Sequence, residues 1–438
     1  MRIFHCKIVS VKISGQVEMN TMNAAKEAAL LMSSLSVYRG ITSRTVAKAY
    51  YELLCSVNKP VFEFTRTWGS FVALLCERSC IDDFSGYLTE TALYDENLFS
   101  RAAAAGREKE LSSRTINAVR RDLSVIQRIS MISPERLLND YLYRDELGSV
   151  ANNLPRWSCG QPIREFLHED EIIDNLAEFY HKNGCGMFAR YRAFIWRDKS
   201  IEPVPYPDPI SLSSLKSYDV QRKLVLDNTL AFLDGVQSNN CLLYGDRGTG
   251  KSSTVKAILN EYYPRGLRMV EMPKDRLSDF PLLAEKLAEV PLKFIIFIDD
   301  LSFSSDDKSY AQLKAVLEGG LAVRPDNTLI YATSNRRHIV KETFADRTGD
   351  DIHINDTIQE TLSLSDRFGL SVSFTKPSKE QYLEIVFALA REKQLMVGID
   401  ELTEKAERFA IERGGRSPRC ARQFISALET SLSLTDNN

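Results

Sequence analysis

Histidine and cysteine are too sparse in this chain to build a metal centre. The five histidines, His5, His168, His181, His338 and His353, are scattered over 438 residues and offer no paired ligands. The eight cysteines (Cys6, Cys55, Cys76, Cys80, Cys159, Cys185, Cys241 and Cys420) contain no C-x-x-C pair and no metal spacing. Cys76 and Cys80 lie one helical turn apart, which suits two small core residues better than a site. Such cysteine usage fits a reduced compartment, and a cytoplasmic protein is expected. No apolar run approaches the ~20 residues that cross a bilayer, so no membrane partner is expected. Met1 to Gly15 alternates apolar and polar residues, interrupted by Lys7 and Lys12, and lacks the apolar core of a signal peptide. Met1, Met19 and Met22 are all candidate starts. Charge of one sign is also missing: the net charge is −3, so no global basic field points to nucleic acid. A small cluster, Arg336, Arg337 and Lys341, leaves a local basic face open.

What is present is an ordinary globular composition, 44% hydrophobic and 26% charged, long enough for two or three domains. Within it, Gly245-Asp246-Arg247-Gly248-Thr249-Gly250-Lys251-Ser252-Ser253 fits the pattern G-x-x-x-x-G-K-[ST]. A short apolar stretch, Cys241 to Tyr244, precedes it and a helical pattern, Thr254 to Tyr263, follows. Glycines 245, 248 and 250 let the backbone aim its N–H groups at a triphosphate. The helix that follows presents its positive end to the same anion. Lys251 is placed to reach the β and γ phosphates, and Ser252 to put its hydroxyl on Mg²⁺. Phe294 to Ile298 is a continuous apolar run, as for a strand buried on both faces of a parallel sheet, and it ends in Asp299-Asp300. Ligands of open α/β sheets bind beyond the carboxyl ends of strands. Asp299 is therefore a candidate for the Mg²⁺ shell, and Asp300 for the base that activates water.

Around these motifs the texture changes three times. Residues 23 to about 186 read as helical, with Ala24–Met32, Trp68–Cys76 and Thr115–Ile129 showing helix-forming composition or spacing. Four prolines between 203 and 209 suggest an extended linker. Leu215 to Leu233 is helical again. Strands are then expected at 241–245, 268–272, 294–299, 328–333 and 370–374, alternating with helices at 251–263, 281–289 and 309–318. That alternation predicts a parallel sheet covered on both faces. Only helical patterns follow Pro377, at 378–393, 400–413 and 417–432.

Taken together, the motifs resemble those of the AAA+ ATPases and, within them, a bacterial family of predicted AAA+ ATPases of unknown function. The resemblance is carried by Leu215–Gln221, Gly245–Ser252, Phe294–Phe303, Ala332–His338, Ser363–Leu370 and Gly415–Phe424. It covers about 205 to 430 and does not extend into the first 200 residues. It implies an α/β P-loop NTPase (AAA+) core with a C-terminal helical lid, preceded by a mostly helical N-terminal domain. The expected boundaries are 1–198 for that domain, 199–214 for the linker, 215–376 for the core and 377–438 for the lid. ATP and Mg²⁺ are the implied ligands and ATP hydrolysis the implied activity. Tyr218, Asp219 and Val220 would lie beside the adenine. Asn335 would hold the attacking water; the alternative for it is a strand-end turn residue. Arg367 would reach the nucleotide of a neighbouring subunit in an ATP-dependent homo-oligomer; the alternative is a surface arginine paired with Asp366. Arg419, in the last lid helix, would fold the lid onto the phosphates; the alternative is a solvated helix residue.

AAA+ proteins usually have Glu where this chain has Asp300. The shorter side chain reaches about 1.5 Å less far, and slow hydrolysis is expected. Protein-threading relatives carry an aromatic–apolar–Gly loop after the second strand, and Met272 to Phe280 has no such triplet. The leading expectation is an ATPase that remodels or switches an unknown partner through residues 1–198. A DNA-linked loader and a nucleotide-gated scaffold with negligible turnover are the alternatives.

Overall fold

A computed structural model describes residues 23–168, 170–302, 312–314, 316–317, 325–335 and 367–436. The chain divides into two compact units, Met1–Leu93 with Ser113–Ile172, and Tyr94–Ser112 with Ile173–Asn438.

In its described residues the first unit is helical. Its longest helices are Val61–Glu77 and Ser113–Ser130. Val61–Glu77 buries Phe64, Trp68, Phe71, Val72 and Leu75, one stripe at three- and four-residue spacing. An aromatic centre forms around it: Phe71 meets Phe84 edge-on at 5.4 Å and Trp157 at 5.0 Å, and Phe64 stacks on Tyr141 at 4.0 Å. The buried Asp122 is bound by the backbone. Its Oδ2 accepts the N–H groups of Ser36 at 2.8 Å, Val37 at 2.7 Å and Tyr38 at 3.2 Å, which fixes the turn after Ala24–Ser33. Of the expected pair of core cysteines, Cys80 is buried and Cys76 is exposed.

The second unit contains a seven-stranded sheet of order β2-β1-β4-β5-β6-β3-β7. The strands are β1 Ala193–Arg197, β2 Ser200–Pro203, β3 Cys241–Gly245, β4 Leu267–Glu271, β5 Lys293–Ile298, β6 Thr328–Ser334 and β7 Leu370–Phe374. All neighbours are parallel except β1 and β2. Both faces are covered, so alternate residues of β5 enter different cores. Phe294, Ile296 and Ile298 pack with the helix Phe280–Ala288, and Ile295 and Phe297 pack with Asp219–Leu233 and Lys251–Tyr262. A cap follows β7, made of Lys379–Glu392, Ile399–Glu412 and Pro418–Asp436 around Tyr382, Ile385, Ala406 and Phe424.

Two strands lie where none is expected. β1 falls inside the 1–198 domain expected to be mostly helical, past the stretch read as helical to about 186, and β2 inside the 199–214 linker. They form a hairpin whose turn residues, Asp198 and Lys199, are both left-handed, at φ 47° and 59°. A Lys at such a position is unusual, so the turn lacks the Asn-Gly type of signal. β1 then joins β4 in parallel and buries Phe194 and Trp196 in the sheet core. Of the expected helix 309–318, only Gln312–Lys314 and Val316–Leu317 are described, as helix. The stretch 1–22, Arg336, Arg337, His338, Lys341 and Asp366 lie outside the described residues.

Candidate functional site

The strand order sets the site. β5, β6 and β3 are consecutive parallel neighbours in the sheet, so their carboxyl ends lie side by side along one end of it. β3 runs into the glycine loop. A Cβ on Gly245, at φ 126°, would sit 2.2 Å from the Phe374 carbonyl oxygen, so only glycine fits there. Gly248 and Gly250 are left-handed at φ 77° and 95°. The loop is held by β7 and by its own bonds: the Asp246 N–H donates to Phe374 O of β7 at 3.0 Å, Thr249 Oγ1 to Asp246 O at 2.8 Å and Thr254 Oγ1 to Gly250 O at 2.9 Å. The helix Lys251–Tyr262 starts directly after Gly250.

Lys251 is 6% exposed. Its ammonium donates to Gly245 O at 2.9 Å, Asp246 O at 2.7 Å and Asn335 Oδ1 at 3.3 Å. Burial lowers its pKa below the ordinary lysine value, and the carboxylates of Asp246, Asp300 and Asp299 pull the other way. The register of β5 and β6 pairs Ile298 with Ala332, which brings Asp299 beside Thr333. Asp299 Oδ1 accepts from Ser252 Oγ at 2.6 Å, from the Asp300 N–H at 3.1 Å and from Thr333 Oγ1. The Asp300 N–H also reaches Thr333 Oγ1 at 3.0 Å. Asp300 itself is left-handed, φ 51°, a conformation Asp tolerates better than most residues. Asn335 Nδ2 donates to Asp300 Oδ1, while its Oδ1 faces Lys251. An ammonium cannot accept and a carboxylate cannot donate, so the orientation of this amide follows from its two neighbours.

These residues line a cleft of about 570 Å³. Arg247, Gly248, Gly250, Lys251, Ser252 and Ser253 come from the loop and its helix; Asp299, Asp300, Thr333 and Asn335 come from β5 and β6. The cap closes the other side with Pro418, Arg419, Arg422 and Gln423. The Arg419 N–H donates to Gly248 O at 3.2 Å, and Ser417 Oγ lies 3.0 Å from where a Gly248 Cβ would be, so the last cap helix starts directly on the loop. An opener hollow of about 620 Å³ on the cap, between Lys379 and Glu412, carries mixed charge and no glycine-rich backbone.

The remaining expected residues lie elsewhere. Thr249 is buried beneath the loop. The Asp246 carboxylate turns to the segment after β7, where its Oδ2 accepts the Lys376 N–H at 2.8 Å. Tyr218 donates to Thr375 O at 2.6 Å and packs on Phe374; burial, then the nearby Asp246 charge, push its phenol up to about 12. The Asp219 side chain is exposed and paired with Arg222, and Val220 is 72% exposed. Arg367 stands in the turn before β7. Thr333, Arg422 and Gln423 escaped the sequence analysis. The only available signal was the three-residue spacing of Arg419 and Arg422 on one helix face.

Ser252 Oγ and the Asp299 carboxylate form an all-oxygen set that suits a hard cation such as Mg²⁺, which needs only one or two protein ligands beside phosphates and water. No group of three or more His, Cys, Asp or Glu suited to a metal occurs among the described residues.

A parallel run β4-β5-β6-β3-β7, with the glycine loop after β3, an acidic pair after β5 and a helical cap after β7, defines an AAA+ type P-loop fold. The chain belongs to a family described as a protein of unknown function (DUF815), whose model matches residues 189–432 and so includes β1. No functionally curated protein matches it. Among solved structures, RuvB of Thermotoga maritima, a Holliday junction branch migration motor, is 16% identical over 52% of this chain and 67% of that one, with a TM-score of 0.37. The replication initiator DnaA, bound to AMPPCP and single-stranded DNA, is 17% identical over 53% of this chain and 70% of that one, with a TM-score of 0.34. At such values neither tells what this chain binds or does.

Proposed function

We propose that the chain binds ATP with Mg²⁺ and hydrolyses it slowly, and that cap movement passes this cycle to a macromolecular partner held through residues 1–198. The observation that carries the reading is the connected set Lys251–Asn335–Asp300 at the ends of adjacent strands. It joins a phosphate ligand, a water-holding amide and a carboxylate base within one hydrogen-bonded chain. Ser252 and Asp299 would hold Mg²⁺, which when bound neutralises phosphate charge. Asp300 would accept a proton from water as the water oxygen attacks the γ phosphorus and the bond to the bridging oxygen breaks. Lys251 would leave the loop carbonyls for the phosphates, and Arg419 would donate to them from the cap. Arg367 would act on a neighbouring subunit's nucleotide in an ATP-dependent homo-oligomer, and a cytoplasmic location fits the free cysteines. No helix among the described residues is long and apolar enough to cross a membrane.

The scaffold alternative draws on Asp300 too: it is one methylene short of the usual Glu and already engaged by Asn335. One pair of variants separates the readings. Lys251→Ala should abolish binding of a fluorescent ATP analogue, while Asp300→Asn should bind within a few-fold and turn over about a hundredfold more slowly. Binding by Lys251→Ala equal to wild type would sink the ATP reading. A wild type that binds but never turns over would favour the scaffold.

A further inference from the structure

We infer that Asn260 and Arg268 form a joint by which nucleotide at one end of the helix Lys251–Tyr262 resets the segment Asn183–Arg192 at the other end. This deepens the proposed function and rests on its ATP reading. The helix starts in the cleft, where Lys251 is bound to the carbonyls of Gly245 and Asp246, and taking a phosphate exchanges those bonds. A helix is stiff, so between Lys251 and Asn260 it carries such a change about 13 Å along its axis. There Asn260 commits both sides of its amide to other segments. Its Nδ2 donates to the carbonyls of Asp208 and Ile210, each at 2.8 Å, and its Oδ1 accepts from Arg192 Nε at 2.9 Å. The two carbonyls belong to the strap between β2 and Asp219–Leu233, and Arg192 stands at the entrance to β1. The Arg192 guanidinium also lies over the Tyr263 ring at 5.2 Å.

The second half of the joint is a buried charge. Arg268, in β4, is 2% exposed and forms no ion pair among the described residues. Its Nε donates to Phe188 O at 2.7 Å, its Nη1 to Leu267 O at 2.9 Å and Tyr263 O at 3.0 Å, and its Nη2 to Asn183 O at 3.0 Å. Burial pushes its pKa down to about 10, so it stays charged at neutral pH. A buried charge that loses acceptors is costly, so the four carbonyls are held together. Tyr263 directly follows the helix, while Asn183 and Phe188 belong to the segment. A shift at the end of the helix therefore takes the segment with it. In the chain that segment follows closely on Ile172, the last residue of the first unit, and so lies on the covalent path to it.

The test follows backbone hydrogen exchange by mass spectrometry in the full chain, with and without Mg²⁺ and AMPPCP. In wild type the nucleotide should slow exchange in the glycine loop and change it by about threefold or more in peptides of 183–192. Phe280–Ala288, on the other face of the sheet, should not respond. Asn260→Ala, and Asn260→Asp, which cannot donate, should bind a fluorescent ATP analogue within about twofold of wild type, keep the loop response and lose about half or more of the segment response. Arg268→Lys should lose more, because an ammonium lacks the planar fork that spans these carbonyls. If Arg268→Lys does not fold, the two Asn260 variants decide. Glu261→Ala, an exposed change beside Asn260, should behave as wild type. Asn260 variants that melt lower but keep the ratio of segment to loop response overturn the joint. So does a wild type whose loop responds and whose segment does not, and the ATP reading then stands. A wild type that binds no nucleotide overturns both.

Discussion

Thr333→Val tests the site's internal geometry without depending on any ligand. The two side chains are nearly the same shape, and valine suits a strand. Thr333 is 2% exposed, so water cannot replace what is lost. Its hydroxyl donates to Asp299 Oδ1 and accepts the Asp300 N–H at 3.0 Å. The Asp300 N–H keeps its second acceptor, Asp299 Oδ1 at 3.1 Å, so it is not orphaned. The net loss is one hydrogen bond to a charged carboxylate, about 1.5–3 kcal/mol. For a unit of this size, about 2 kcal/mol lowers the melting temperature by roughly 4–8 °C. Thr333→Ser keeps the hydroxyl and should melt close to wild type. If ATP is turned over, the valine variant should also lose about tenfold or more in kcat with little change in ATP binding, because Asp300 is no longer fixed from below. Scanning calorimetry with a phosphate-release assay reads both. A valine variant as stable and as active as wild type would refute the idea that Thr333 orders the acidic pair.

The fragment 200–438 lacks β1 and leaves the β4 edge and the pocket of Phe194 and Trp196 open, so it should aggregate; a soluble fragment with a cooperative melt would count against this. The Arg416 hydrogen bond holds the Glu407 carboxyl below the ordinary glutamate value. A depressed folded value contributes stability above about pH 4.3, the ordinary value, and the contribution fades as pH falls through the lowered one. Glu407→Gln should therefore melt lower than wild type at pH 7, and the gap should close as pH falls through the lowered value; a constant gap would refute the linkage. Mixing the inactive variants Lys251→Ala and Arg367→Ala should restore part of any ATPase activity, since some interfaces then pair an intact loop with an intact Arg367. No recovery, with only monomer in sedimentation with ATP, would mean that Arg367 works in its own subunit or is a surface residue.

Features that depend on neighbours in the sequence were legible in it. β5 was visible because a strand covered on both faces has to be apolar at every position, and Phe294 to Ile298 is. The glycine loop was visible because its backbone demands glycine at fixed offsets. Features that depend on neighbours in space were not. Thr333 joins the site only through the register of β6 against β5, which no local pattern encodes. β1 is five residues long and its turn lacks glycine, so it looked like the end of a helical region. The Asp246 carboxylate sits in a phosphate-binding motif but faces the start of the cap, a direction that appears only once β7 is seen beside β3.

That carboxylate constrains how the cap can swing. Asp246 holds Lys376 by its N–H, and Tyr218 holds the Thr375 carbonyl, so the chain leaving β7 is fastened to the core through Lys376. Ser378 is already committed to the first cap helix, where its hydroxyl accepts the Gln381 N–H in a capping box. Between these fastenings lies Pro377, whose ring fixes one torsion. The axle of the cap is thus reduced to a few bonds around Pro377, anchored on the same residue whose carbonyl receives Lys251. Under the proposed function, a loop that let go of its lysine to take a phosphate would change its grip at the bearing on which the cap would turn. Stiffness at that one point makes a short loop and a three-helix cap parts of a single lever.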